Sequence, residues 1–327
     1  MIIPHFWAEA RLQTKEPKRQ VTVRRLGWSD LSQAEAQAMA DQRAQDAMQR
    51  ILRGECLHRW ENKAPYDVAE GVPIREEVVA RHGKAAITRN SYGSLCLNVE
   101  NVFFADVDSR WTPSLHFPAS GCLLLFVSGI AVGLLTKSVI IGIAIALGLP
   151  WLGYWGVASI NRSRRSAEEA KAKEQVLQGI RDFCTTRPDW HLRVYETPAG
   201  YRLLAMHSLF EPNSEATKFA LEALNSDRLF AQLCSIQSCF RARVSPKYWR
   251  MDFKPPHSFP KAKWPFTPHE AGLRRQWVEA YEKQSIHYAA CRFIESLGNT
   301  ATVHPDAEAI REVHDHYCQA LSQLRLA

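Results

Sequence analysis

Three groups of residues have the types and spacing to do chemistry. Asp106 and Asp108 close the run Val102-Phe-Phe-Ala-Asp-Val-Asp108, two positions apart. On an extended strand both carboxylates face the same way and can share a divalent cation, Mg²⁺ or Mn²⁺. Two like charges at a strand end are costly without a cation or basic partners. The competing reading is a solvated strand end with Arg110 neutralising one acid, and spacing alone does not choose between them.

The second group is Arg241, Arg243, Lys247 and Arg250, interleaved with Phe240, Tyr248 and Trp249. It combines charge for phosphate with aromatic faces for stacking. The same composition suits anionic lipid headgroups, at about 1 kcal/mol per cation near the surface. The third is His314-Asp-His316 with Cys318. On a helix His314 and Cys318 are neighbours while His316 points elsewhere, so this segment reads as a structural helix rather than a zinc ligand set. Cys234 and Cys239, five apart, are poorly spaced for one zinc site. The chain has no GxSxG, no P-loop and no HExxH, which withdraws support from the common hydrolase, nucleoside-triphosphatase and zincin classes.

The elements that must carry these groups can be read from periodicity. Gln20 to Trp28 alternates as a strand, and Ser29 or Asp30 caps a helix from Leu31 to about Arg53, giving a β-then-α unit. Ile74 to His82 reads as a short helix stopped near Gly83. Ala85–Arg89, Ser94–Val99 and Val102–Val107 read as strands separated by turns. Further on come a helix from Ser166 to Cys184 and a hairpin, His191–Glu196 with Tyr201–His207, around Thr197-Pro-Ala-Gly200. Helices at Ser214–Asn225 and Asp227–Ser235 precede a strand at Cys239–Ser245. After an irregular Pro-, Lys- and aromatic-rich loop to Pro268, Pro268–Leu297 and His304–Leu326 read as amphipathic helices.

Between Phe117 and Ile160 the only formal charge is Lys137. As one helix this block would be about 66 Å long, twice the ~30 Å hydrocarbon core of a bilayer. Divided at Thr136-Lys137-Ser138 it gives two apolar halves, 117–135 and 139–157, and the expectation is a transmembrane helical hairpin. Arg162, Arg164, Arg165, Lys171 and Lys173 follow it, so the positive-inside rule puts both termini in the cytoplasm of an inner or plasma membrane. Trp151, Tyr154 and Trp155 suit the interfacial aromatic belt. Gly129, Gly133, Gly142, Gly148 and Gly153 suit close helix packing, within the hairpin or between copies in a homo-oligomer. Eight cysteines without a CxxC pair, and a net charge of +7, fit reduced thiols in the cytosol and a phosphate-bearing partner. The expected organisation is one α/β (α+β) cytoplasmic domain, halves 1–116 and 161–260, with the membrane hairpin at 117–160 inserted and C-terminal amphipathic helices at 261–327.

The order of elements resembles the archaeo-eukaryotic primase-polymerase superfamily. There an apolar strand ends in a DxD pair, a hairpin carries a small-Gly-x-His turn, and a basic strand or loop contacts nucleotide phosphates. The matching segments are Phe104-Ala-Asp106-Val-Asp108, Glu196-Thr-Pro-Ala-Gly200-Tyr-Arg202 and Phe240-Arg-Ala-Arg-Val-Ser-Pro-Lys247, so the likeness covers roughly Ile87 to Lys247 without the apolar insert. It implies Asp106 and Asp108 as catalytic and Mg²⁺- or Mn²⁺-binding residues. It also implies Arg202, His207, Arg241, Arg243 and Lys247 on nucleotide or nucleic-acid phosphate. Arg202 stands near the position of the family's turn histidine, His207 comes several residues late, and no third metal acid stands out, Asp252 being one candidate. Those departures imply metal and phosphate binding without polymer synthesis. Two expectations stand side by side: a membrane-anchored, degenerate primase-like phosphoryl-transfer or phosphate-binding protein, and a non-catalytic membrane-tethered adaptor for a protein partner or anionic lipid.

Overall fold

The computed structural model describes residues 3–16, 19–59, 73–109, 118–256, 264 and 266–327. Phe117 and Arg110, and most of the segment between Pro246 and Pro268 after residue 256, lie outside the described residues. The chain divides into two units, Met1–Asp108 with Ile180–Ala327 and, separately, Ser109–Gly179.

The first unit is mixed α+β. Its N-terminus is a long antiparallel hairpin of β1 (Phe6–Glu16) and β2 (Arg19–Ser29), in register from Phe6 opposite Ser29 to Glu16 opposite Arg19. Helix α1 (Gln33–Leu52) starts where Ser32 accepts a hydrogen bond from the Glu35 amide, and it buries Ala36, Ala40, Ala44 and Ala47 at helical spacing. Small residues let this helix sit close: a Cβ on Gly27 would collide with the Ala36 carbonyl and the Ala40 backbone.

Two four-stranded sheets follow. One runs β3 (Glu77–His82), β4 (Ala85–Arg89), β5 (Leu95–Val99) and β9 (Phe240–Arg243), all antiparallel. The other has the order β11-β7-β8-β6, from β6 (Phe104–Asp108), β7 (His191–Thr197), β8 (Gly200–Ala205) and β11 (Arg292–Gly298). β5 therefore pairs with β9, and β6 with β8, so strands from before and after the apolar block share both sheets. Around them lie α4 (Glu215–Ala223), α5 (Arg228–Gln237), α6 (Pro268–Ser285) and α7 (Pro305–Cys318), with a short parallel pair, β10 (Tyr288–Ala289) and β12 (Arg325–Leu326).

Sequence periodicity misplaces several of these elements. Ile74–His82 is not a helix: Glu77–His82 is the edge strand β3, and Gly83, at φ 58°, turns the chain from His82 into Ala85 of β4. The adjacent Val78 and Val79 favour that extended form. The helix expected to reach Leu297 stops at Ser285, because residues 292–298 are drawn into the sheet beside β7. The last helix ends at Cys318, and β1 is a strand that the β-then-α reading omitted.

In the second unit, α2 (Ala119–Leu135) and α3 (Val139–Thr186) are joined by Thr136-Lys137-Ser138, with Lys137 left-handed at φ 50°. A Cβ on Gly142 would lie 2.9 Å from the Gly133 Cα, and one on Gly129 would collide with the Ala146 backbone. These three glycines thus serve the contact between α2 and α3, while Gly148 faces open space. No break separates the apolar half of α3 from the expected helix at 166–184. The stretch from Arg162 to Thr186 lacks Gly except Gly179 and lacks Pro, and Arg165 pairs with Glu169 one turn on, at 2.7 Å. Among the described residues one helix is long and apolar enough to cross a membrane, over Val139–Arg165, and only 11% of its most apolar window is buried. The apolar part of α2 is shorter.

Candidate anion-binding site

Asp106 and Arg202 face each other across β6 and β8. Arg202 grips the carboxylate with both arms, Nε to Oδ1 at 2.8 Å and Nη2 to Oδ2 at 3.0 Å, and its Nη1 donates to the Arg243 carbonyl at 2.6 Å. Burial alone would raise the Asp106 carboxyl, but Arg202, by charge and hydrogen bonds, holds it below the usual carboxylate range. A carboxylate clamped on both oxygens does not fit the Mg²⁺ or Mn²⁺ pair expected with Asp108, and Arg202 is equally unsuited to hold phosphate. Its guanidinium links one sheet to the neighbouring strand β9.

The other expected phosphate ligands separate. Arg241 projects from β9 into a buried polar network. Its Nη2 donates to both Glu76 oxygens at 2.7 and 2.6 Å, and its Nη1 to Asn98 Oδ1 at 2.9 Å. Thr88 Oγ1 also donates to Glu76, and Asn98 Nδ2 donates to Thr88. His207 packs its ring on Trp190, 4.7 Å between centroids, and its Nδ1 accepts from the His191 amide. Burial lowers its pKa, the behaviour of an aromatic-core histidine rather than an anion ligand. Asp252 accepts from the Tyr288 hydroxyl and pairs with Arg325, so it joins neither Asp106 nor Asp108.

Arg243, Lys247 and Arg250 do come together. β9 alternates Phe240 and Ala242 inward with Arg241 and Arg243 on the opposite face, and the chain then turns through Ser245 and Pro246. That turn is fixed: Ser245 Oγ accepts from the Leu95 amide, and the Pro246 carbonyl accepts from Ser94 Oγ and the Tyr281 hydroxyl. Trp277 and Tyr281 of α6 stack in parallel beneath it. Trp277 also presses on Gly93, whose φ of 90° completes the Asn90–Gly93 turn that presents Tyr92. Tyr248–Arg250 then forms one 3₁₀ turn.

Among the described residues the result is a surface of three cations with the Asp108 and Asp106 carboxylates near it. Burial, then Arg243 and Arg250, lower the Lys247 ammonium to about 8, against the pull of Asp108 and Asp106. Burial and Arg243 likewise lower Arg250, and its Nη1 is a buried donor with no hydrogen-bond partner among the described residues. Arg243 hydrogen-bonds the Tyr92 hydroxyl. Tyr92 lies 5.2 Å from Trp249, which is 54% exposed, and Lys247 Nζ lies 5.3 Å from the same indole. Mutually repelling cations with an unsatisfied buried N–H form a site that an anion would relieve.

A separate cluster was visible only in part from sequence. Cys291, His314 and Cys318 are fully buried, their donor atoms within 4.8 Å of one another, and the group could hold a metal ion. His314 and Cys318 are one helical turn apart, but Cys291 comes from the segment between β10 and β11, which periodicity had assigned to a helix. Tyr92 was missed as well, since its approach to Arg243 depends on pairing between β5 and β9. Family models, curated proteins and solved structures include none that matches the chain.

Proposed function

We propose that the chain is a membrane-attached protein whose α+β unit binds a nucleotide or nucleic-acid phosphate, without catalysis, at Arg243, Lys247 and Arg250. Tyr92 and Trp249 supply the flanking aromatic faces on which a base could stack. The observation that carries this reading is the buried Nη1 of Arg250, without a hydrogen-bond partner among the described residues, beside Arg243, whose charge lowers both Lys247 and Arg250. The ion pair of Asp106 with Arg202 argues against metal-dependent phosphoryl transfer. In this reading α2 and the apolar half of α3 together form the membrane hairpin, supported by the uncovered apolar surface of both helices, including Leu124, Leu135, Ile140 and Leu147. The basic run after residue 161 keeps both termini in the cytoplasm.

The test uses the full chain in detergent micelles with EDTA present. Fluorescence anisotropy of a labelled single-stranded oligonucleotide is competed with a nucleoside triphosphate, inorganic phosphate or anionic vesicles. Saturable binding displaced by the triphosphate, and weakened at least about tenfold in Arg243→Ala/Arg250→Ala, is expected from the loss of two charge-assisted contacts. Displacement by vesicles alone would favour the tethered, lipid-facing reading. Equal binding by wild type and the double variant would overturn the proposal.

A further inference from the structure

The cluster of Cys291, His314 and Cys318 lies on the covered face of the β11-β7-β8-β6 sheet. His314 packs its ring on Tyr195 of β7 at 4.6 Å and Phe104 of β6 at 5.4 Å between centroids. Its Nε2 stands 3.8 Å from Cys291 Sγ, and its Nδ1 lies 3.1 Å from Asp315 Oδ1. Asp315 is held in turn: Oδ2 accepts from Arg193 Nη2 at 3.0 Å and from Arg311 Nη1 at 3.4 Å. A carboxylate on Nδ1 fixes the imidazole tautomer that keeps its proton there and leaves the Nε2 lone pair free toward Cys291 Sγ, with Cys318 Sγ within 4.8 Å of the same group.

We infer that Cys291, His314 and Cys318 bind one thiophilic divalent cation, zinc by charge and ligand softness, with Asp315 orienting the histidine. Two thiolates and a neutral imidazole balance a dication, so the occupied cluster is uncharged overall, which burial in an apolar setting demands. Sulfur and imidazole donors exclude the hard ions expected at Asp106 and Asp108. Binding releases two thiol protons to solvent and leaves one tetrahedral position for a fourth donor. The Cys291–His314–Asp315 order also matches a nucleophilic triad, but complete burial of both sulfur and imidazole keeps any outside substrate away. The role of the ion is structural, tying the C-terminal end of α7 to the chain entering β11.

The full chain, purified reduced in detergent, is assayed for zinc by mass spectrometry, then stripped with chelator and titrated with Co²⁺. Equimolar zinc, and a Co²⁺ spectrum with a thiolate charge-transfer band and the visible bands of a tetrahedral ion, are expected. Cys291→Ser/Cys318→Ser loses both signals, while Asp315→Asn keeps the band with affinity lowered roughly 10–100-fold. The wild-type measurement decides independently of how the variants fold. A wild-type chain that takes up no zinc above the double variant's level, or gives Co²⁺ no thiolate band, overturns the inference and leaves a core of hydrogen-bonded thiols and imidazole.

Discussion

Burial and its cationic neighbours hold the Lys247 ammonium at about 8, below the ~10.4 of an unfolded lysine. Two pH effects follow with a definite sign. Between about 8 and 10.4 the unfolded chain binds the extra proton, so the anion-free protein gains stability as pH rises through that window. A bound phosphate instead favours the charged ammonium. Nucleotide affinity therefore falls as pH rises past about 8, where a phosphate with second pKa near 6 is already fully ionised. Dissociation constants at pH 7 and 9.5 should show this weakening, and Lys247→Gln should flatten it. Asp106→Ala leaves a buried guanidinium unpaired and should destabilise the unit by on the order of 3 kcal/mol in denaturant unfolding, whereas a solvated strand end would tolerate it. Arg243 and Lys247 were legible from spacing because their neighbours are close in sequence. Arg202 and Arg241 were not: their carboxylate partners lie 96 and 165 residues away.

Strand pairing decided the elements that periodicity misread. β4, β5 and the β7–β8 hairpin were legible because apolar runs end at local turns. β3 and β11 were not: both are edge strands with helix-compatible residues, and β11 is set by pairing with β7, distant in sequence, although β3 pairs with the adjacent β4. The joining of Cys291 to His314 and Cys318 was hidden for the same reason. Close backbone approach gives an independent test at this scale. A Val side chain at Gly27 meets the backbone of α1 at Ala36 and Ala40, so Gly27→Val should destabilise the N-terminal hairpin and helix by about 3 kcal/mol or more. Denaturant unfolding followed by circular dichroism would register it, and an unchanged midpoint would mean that α1 does not lie against β2.

For the whole molecule, the apolar block was legible at once, since its length and lack of charge need no tertiary context. The continuity of α3 beyond it was less so, because the basic run reads equally well as a membrane edge or a helix break. Membrane attachment predicts that the chain stays in the pellet after alkaline carbonate extraction. Replacing 118–157 with a short flexible linker should release a folded unit, since Met1–Asp108 and Ile180–Ala327 form one contact unit without it. A cation cluster for phosphate and a carboxylate-bound metal centre respond oppositely to loss of Asp108. Calorimetric titration of a nucleoside triphosphate into wild type and Asp108→Asn, with and without Mn²⁺, separates the two. Removing the Asp108 carboxylate, which attracts both Lys247 and Arg250, should tighten binding by up to about fivefold, with no dependence on Mn²⁺. Binding that requires Mn²⁺ in wild type and disappears in Asp108→Asn would instead establish a carboxylate-bound metal centre.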